Sequence, residues 1–502
     1  MNDKHKNLIK LAHQSIEEAR KSVEDNHWSM NFHMAPPSYW MNDPNGFCYF
    51  NGEYHLFYQH HPFSPEWGPM YWGHAKSKDL SSWEHLPIAL APSENYDKDG
   101  CFSGSAIEKD GKLYLMYTGN VWTGNNHDTD LLQVQCLAVS QDGIHFEKIS
   151  ENPVIEQAPE GDIHPFHFRD PKVWKHEEVY YCVLGSRTKD HVGQVLLYRS
   201  LDLIKWDFIN VAAKGEGNFG YMWECPDIFP LDDYDVLMMS PQGMKEEEYL
   251  YHNLHQSGYV LGKLDYEKGI LEHGEFQLLD YGFDVYAPQT AIDEEGRRIM
   301  IAWMAMWESE MPEQSHKWAG AMTIPRVLTI EEGQIVSRPV PELKTLRQQG
   351  DSIGNKLILG EHRLQGFEGD SYELELVIDA KGANEFGIKL RVDEDQTEET
   401  VFTYNRSEGM FTFDRNKSGK GPKGVRRAPV NLVENKLHLH FFVDRSSIEV
   451  FINDGAKTMT GRIYPEKKSL GIMLFSDQEV EVTHLNKWNL NKSIKPYVCN
   501  EE

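Results

Sequence analysis

Positive charge is scarce in this chain. Fifty Lys and Arg stand against 78 Asp and Glu in 502 residues, a formal net charge of −28 at neutral pH. With no basic stripe to displace phosphate counterions, nucleic acid is excluded as a partner, while nothing bars a neutral ligand. Long apolar runs are missing too: no stretch of 18 apolar residues occurs, so no membrane helix is expected. Cysteine is sparse, and the six residues (Cys48, Cys101, Cys136, Cys182, Cys225 and Cys499) show no C-x-x-C spacing. That speaks against a disulfide frame or a cysteine zinc site and predicts reduced thiols in a cytoplasmic protein. The first 25 residues lack the apolar core of a secretory signal. Instead Leu8, Ala12, Ile16, Ala19 and Val23 recur at steps of three and four, which predicts a short amphipathic helix.

What is present in abundance is a repeat. An octet occurs three times: S-K-D-L-S-S-W-E from Ser77, S-Q-D-G-I-H-F-E from Ser140 and S-L-D-L-I-K-W-D from Ser200. Its aspartates Asp79, Asp142 and Asp202 are 63 and 60 residues apart. Five apolar runs starting at Tyr54, Tyr114, Tyr180, Val236 and Ile299 keep a similar beat and are rich in the β-branched and aromatic residues that suit strands. Such a period fits four short strands with their loops. Five copies predict a five-bladed β-propeller over residues 32–338.

The stretch W-M-N-D-P-N-G, Trp40 to Gly46, sets a carboxylate, Asp43, in turn chemistry behind two large apolar side chains. Asp43 lies 11 residues before Tyr54. The same offset finds Ser103 in the second repeat, and nearby offsets find Asp170 of F-R-D-P and Glu224 of W-E-C-P in the third and fourth. If each apolar run is a blade's second strand, these positions fall on the innermost strands. Three acids from three blades then converge on one axial pocket.

Carboxylates gathered in a pocket raise one another's pKa and need a role, and paired carboxylates in unlike settings are the equipment of glycoside hydrolysis. Local sequence predicts an ionised Asp43 beside Asn42, Asn45 and turn amides. It predicts a Glu224 raised by Met222, Trp223 and Cys225, and an Asp170 held ionised by Arg169. Trp40, Trp67, Trp72, Phe102, Trp303 and Trp307 supply aromatic surface, a minority of it for sugar and the rest for core.

The blocks W-M-N-D-P-N-G, F-S-G-S, F-R-D-P, W-E-C-P and D-R-S-S-I-E-V-F from Asp444 resemble those of the family 32 glycoside hydrolases, the β-fructofuranosidases. The resemblance runs in order over about residues 33–490. It implies a propeller followed by a β-sandwich, and hydrolysis of fructosides with retention. Asp43 would be the nucleophile, Glu224 the acid/base and Asp170 the transition-state stabiliser. Trp40, Asn42, Gln59, Trp67, Phe102, Ser103, Arg169 and Trp307 would meet substrate. No cofactor or metal is implied. Within the family, the leading helix and W-G-P-M-Y-W-G-H from Trp67 resemble bacterial cytoplasmic enzymes that act on sucrose 6-phosphate or sucrose.

The expected class is therefore all-β: a helical extension (1–31), the propeller (32–338), a connection (339–354) and a sandwich (355–502) whose strands alternate apolar and polar residues. A small carbohydrate is the expected partner, without nucleic acid or membrane, for a monomer or homodimer. A phosphate on the substrate would call for Arg or Lys at the channel mouth; Arg187, Lys189 and Lys317 are the candidates on loops, each equally explained as a solvated surface charge. Two other strings are discounted: G-E-G-N-F-G from Gly215 precedes prolines rather than a helix, and His164 with His167 lacks a third metal ligand. Fructan hydrolysis, an arabinosidase or xylosidase on a similar propeller, and a silent sugar-binding propeller are the competing readings; the last predicts a missing acid, and none is missing.

Overall fold

The computed structural model describes residues 3–23 and 26–497; Cys499 lies outside them. The five apolar runs are second strands, as the beat requires: Glu53–His61, Lys112–Trp122, Val179–Arg187, Tyr234–Gln242 and Arg298–Trp303. Each pairs antiparallel with a preceding inner strand: Tyr39–Phe50, Cys101–Lys109, Phe168–His176, Met222–Leu231 and Tyr286–Ile292. Third and fourth strands complete five blades. The ring closes where Tyr39 and Trp40 of blade 1 pair in parallel with Trp318 and Ala319, which follow the second strand of blade 5.

The octet is the hairpin between third and fourth strands. In blade 1 the Ser77 hydroxyl donates to Asp79 Oδ1 (3.2 Å), which also accepts the amides of Ser81 and Ser82 at 3.0 and 2.9 Å. Ser140 with Asp142, and Ser200 with Asp202, repeat the arrangement. A side chain that replaces two backbone partners makes the turn local and cheap to form, which is why the spacing recurs. In blade 4 only Asp265 remains, accepting the amides of Glu267 and Lys268.

The helix Asp3–Lys21 buries Ala12 and Ile16 against Ile88 and Ala91 of blade 1, and Ala19 is buried too. No helix among the described residues is long and apolar enough to cross a membrane. After the propeller, the 20-residue strand Gly471–Leu490 runs through both halves of a second sheet. Leu374, Leu376, Phe402, Phe413, Phe441 and Leu474 form the apolar core of that sandwich. Part of the span read as a connection belongs to it: Arg347–Ile353 is a strand on Gly471–Leu490. Its side chains are mostly exposed, so it lacks the alternation that would have revealed it.

The block D-R-S-S-I-E-V-F fastens the sandwich to the propeller. Asp444 accepts the amides of Asn31, Phe32 and His33, and Glu449 accepts the amide of Ile324 and the guanidinium of Arg326. His33 lies buried between the two acids, Nδ1 at 2.9 Å from Asp444 and Nε2 at 2.9 Å from Glu449.

Candidate active site

Every inner strand is irregular where a functional side chain is wanted. In blade 1 Met41 pairs with His60 and Pro44 with Tyr58, so Asn42 and Asp43 together face Gln59. Similar bulges interrupt pairing at Phe102/Gly104, opposite Asp170, after Glu224 and after Tyr286. A bulge turns a side chain away from the pleat and toward the channel. Asp170 and Cys225 take positive φ, +63° and +47°, a strained choice for residues with a Cβ. Turn residues around Asp43 thus serve to aim it.

The three acids share one cavity of about 320 Å³. Asp43 is 8% exposed; Oδ2 accepts the Ser103 hydroxyl at 2.7 Å and Oδ1 the Asn42 amide at 3.0 Å. Asp170 Oδ2 accepts the Cys225 amide at 3.0 Å. The Cys225 thiol sits 3.6 Å from Asp43 Oδ2 and 3.7 Å from Asp170 Oδ2, between the two. Glu224 has its own partners: Arg169 Nε and Nη2 on Oε1 at 3.1 and 2.7 Å, and Gln242 and the Tyr286 hydroxyl on Oε2 at 2.8 and 2.6 Å.

These contacts reverse the protonation expected from local sequence. Burial raises Asp43 and outweighs its bonds from Ser103 and Asn42. Asn45 does not help: its Oδ1 accepts the Gly104 amide and its N–H₂ makes no hydrogen bond to the carboxylate. Burial also lifts Asp170 to about 7, since the Arg169 fork reaches past it to Glu224. Burial pushes Glu224 up as well, but Arg169 and Tyr286 together hold its carboxyl below the ordinary value. The charge that sequence assigned to its chain neighbour is spent 55 residues away.

Of the residues expected at substrate, Asn42, Gln59, Trp67, Phe102, Ser103, Arg169 and Trp307 line the cavity. Trp40 stands behind them, its indole N–H donating to Asn42 Oδ1 at 2.7 Å and its ring stacked on Trp307. Trp72 and Trp303 are fully buried core. Sequence reasoning missed Trp122, His127, Gln133, Gln242 and His255, which also line it, and Tyr286 beside Glu224. Gln242 and Tyr286 follow from the ladder alone, one lying at the end of the strand paired with Glu224's and the other opening the next inner strand.

Further along the inner strands, buried side chains link one blade to another. Gln289 accepts the Phe47 amide and donates to the Gly104 carbonyl, both at 2.9 Å. Lys172 donates to the Thr290 carbonyl and pairs with Asp227 at 3.0 Å. The side chains of Gln289, Lys172 and Asp227 are all buried.

None of the three cations considered for a phosphate lines the cavity. Arg187 is buried on Asp128 at 2.8 Å, Lys317 bonds the Ser22 hydroxyl, and Lys189 is exposed. Among the described residues one trio has metal-ligand spacing, Glu373, Glu375 and His440 on the sandwich. Arg347 already occupies it, at 2.6 Å from Glu373 and 2.9 Å from Glu375.

Comparison with known proteins agrees with this architecture. The model of the glycosyl hydrolases family 32 N-terminal domain matches residues 33–339, and that of the family 32 C-terminal domain matches residues 342–489. A sucrose-6-phosphate hydrolase of Zymomonas mobilis is 43% identical, covering 97% of this chain and 96% of its own. A Bombyx mori β-fructofuranosidase solved with sucrose superposes with a TM-score of 0.85 at 33% identity, covering 99% of this chain and all of that one. A sucrose-6-phosphate hydrolase of Lactobacillus gasseri gives 0.86 at 30% identity, over 96% and 97%. The chain belongs to family 32 of the glycosyl hydrolases.

Proposed function

We propose that this chain is a retaining β-fructofuranosidase that releases fructose from sucrose-type substrates, with Asp43 as nucleophile, Glu224 as acid/base and Asp170 as the carboxylate that grips fructosyl hydroxyls and steadies developing positive charge. The observation that carries the reading is the division of partners: Asp43 and Asp170 share one thiol, while Glu224 stands apart on Arg169, Gln242 and Tyr286. The similar proteins named above hydrolyse sucrose 6-phosphate or were solved with sucrose, and both sugars are in scope.

In the first step an Asp43 oxygen attacks the anomeric carbon, the bond to the leaving oxygen breaks, and that oxygen takes the Glu224 proton. In the second, water gives a proton to Glu224 and its oxygen displaces Asp43. Two inversions give net retention. The test is kcat/KM for fructose release from sucrose and from sucrose 6-phosphate in one buffer, repeated with methanol present. Release of fructose together with methyl β-fructofuranoside is the expected result. No release, or the α-anomer, would overturn the reading.

The resting protonation gives a pH dependence. Turnover needs an ionised Asp43 and a proton on Glu224, whereas the empty pocket keeps its last proton on the aspartate side up to about pH 7. The steps belong to the coupled cluster, and its productive form is richest between them. Above about 7 no proton is left to deliver, so kcat/KM is expected to fall about tenfold per pH unit there. A profile level to pH 9 would contradict this.

A further inference from the structure

His167 entered as half of a discounted metal pair, and its surroundings give it another task. It is 6% exposed and lines the cavity. Arg169 Nη1 donates to its Nδ1 at 3.1 Å, while its Nε2 lies 2.7 Å from the backbone carbonyl of Asp128. A guanidinium can only donate, so Nδ1 must be unprotonated and the single proton must sit on Nε2, aimed at that carbonyl. The ring is thereby fixed from both sides. The same guanidinium carries its other donors to Glu224.

We infer that His167 is a positioning residue for hydrolysis, holding the Arg169 fork in register on Glu224. The inference rests on the acid/base role proposed for Glu224 and adds the element that sets its hydrogen bonds. Without an acceptor at Nδ1, Arg169 Nη1 must turn toward water or toward Asp170, 4.0 Å from its Nε, and its two bonds to Glu224 loosen. The groups facing His167 keep it neutral. Burial comes first, then Arg169, opposed by the Asp128 carbonyl, with Arg187 and His164 also disfavouring charge, and together they lower it to about 3. The Asp128 carboxylate lies 3.4 Å from Nε2, but its closer partner is Arg187 at 2.8 Å. His167 therefore acts as a fixed acceptor rather than a switch across the working pH range.

Two amide substitutions separate this role from a merely structural one. In His167→Asn the side-chain oxygen falls near Nδ1 and can accept from Arg169, but the bond to Asp128 is lost. In His167→Gln the terminal N–H₂ falls near Nε2 and can donate to Asp128, but Arg169 loses its acceptor. The expected result on sucrose is kcat within about threefold of wild type for His167→Asn and a loss of about 30-fold or more for His167→Gln, with KM little changed. The alkaline limb of the His167→Gln profile is expected to move up by about half a pH unit, because a loosened Arg169 holds the cluster's proton affinity down less well. The opposite ranking, with the change in KM, would show that His167 only anchors the 123–130 loop and would overturn the inference. A second measurement needs no folded variant: histidine 15N shifts of the wild-type protein should report a neutral Nε2–H tautomer for His167 from pH 5 to 8, and an Nδ1–H tautomer would sink the proposal. Wild-type release of fructose in the same assay keeps this test distinct from the proposed function, which fails if there is none.

Discussion

Asp43→Asn is expected to lower kcat on sucrose by at least about 10⁴-fold, about 5.5 kcal/mol of transition-state stabilisation, and to leave the fold intact. The change removes the carboxylate oxygen that the blade 1 bulge places and that is proposed as the nucleophile, and nothing larger than a charge. Asn42, Ser103 and Cys225 keep a polar partner, and a buried carboxylate whose pKa burial has raised is replaced by a neutral group. Thermal stability should therefore be equal to or above wild type, since the desolvation cost of the anion is gone. The measurement is kcat beside a melting curve for the same preparation. A stable variant with near-normal turnover would remove Asp43 from the mechanism, and an unfolded one would show that the carboxylate has a structural role these contacts do not reveal.

The second large effect is expected far from the pocket. His33→Leu should destabilise the protein by about 3–5 kcal/mol, because it removes the buried cation that bridges two buried carboxylates and leaves Asp444 with no charged partner. Burial alone would lower His33, but hydrogen bonds and charge from Asp444 and Glu449 raise it from 6.5 to about 9. The sign follows from that direction. The folded state binds the proton more tightly than the unfolded chain, so the contribution is complete below about pH 6.5 and is lost as pH rises through about 9. Denaturation at pH 6, 7.5 and 9 should show the gap between variant and wild type narrowing with alkalinity. A constant gap would mean that packing, not charge, accounts for the loss. Asn31 and Phe32 amides still reach Asp444, and Arg326 still reaches Glu449, so the variant should fold at low temperature with the active-site chemistry unchanged.

Much of this was legible in the chain because it is local. The octets are turns closed by their own Ser and Asp, the apolar runs are strands with a fixed offset to the acids, and both signals survive without knowledge of neighbours. The arrangement that decides protonation is not local. Arg169 adjoins Asp170 in sequence, yet its fork is planar and long enough to reach Glu224 on the next blade, and only the packing of blades 3 and 4 shows it. Tyr286 and His255 carry no motif, and their relevance comes from facing Glu224 and the cavity. Arg187 looked like a free cation, but it is buried against Asp128. The strand Arg347–Ile353 was hidden for the opposite reason: one sheet edge with solvent on its side chains needs no apolar pattern.

The cross-links deeper on the inner strands touch every blade of the ring. Gln289 of blade 5 accepts the Phe47 amide of blade 1 and donates to the Gly104 carbonyl of blade 2, while Lys172 of blade 3 meets Asp227 of blade 4 and the Thr290 carbonyl of blade 5. Asp43, Asp170 and Glu224 stand on three different blades, so their spacing is a property of the ring and not of any one sheet. These buried bonds act as its hub: loosening one shifts a whole blade, and with it a carboxylate, without touching the cavity itself.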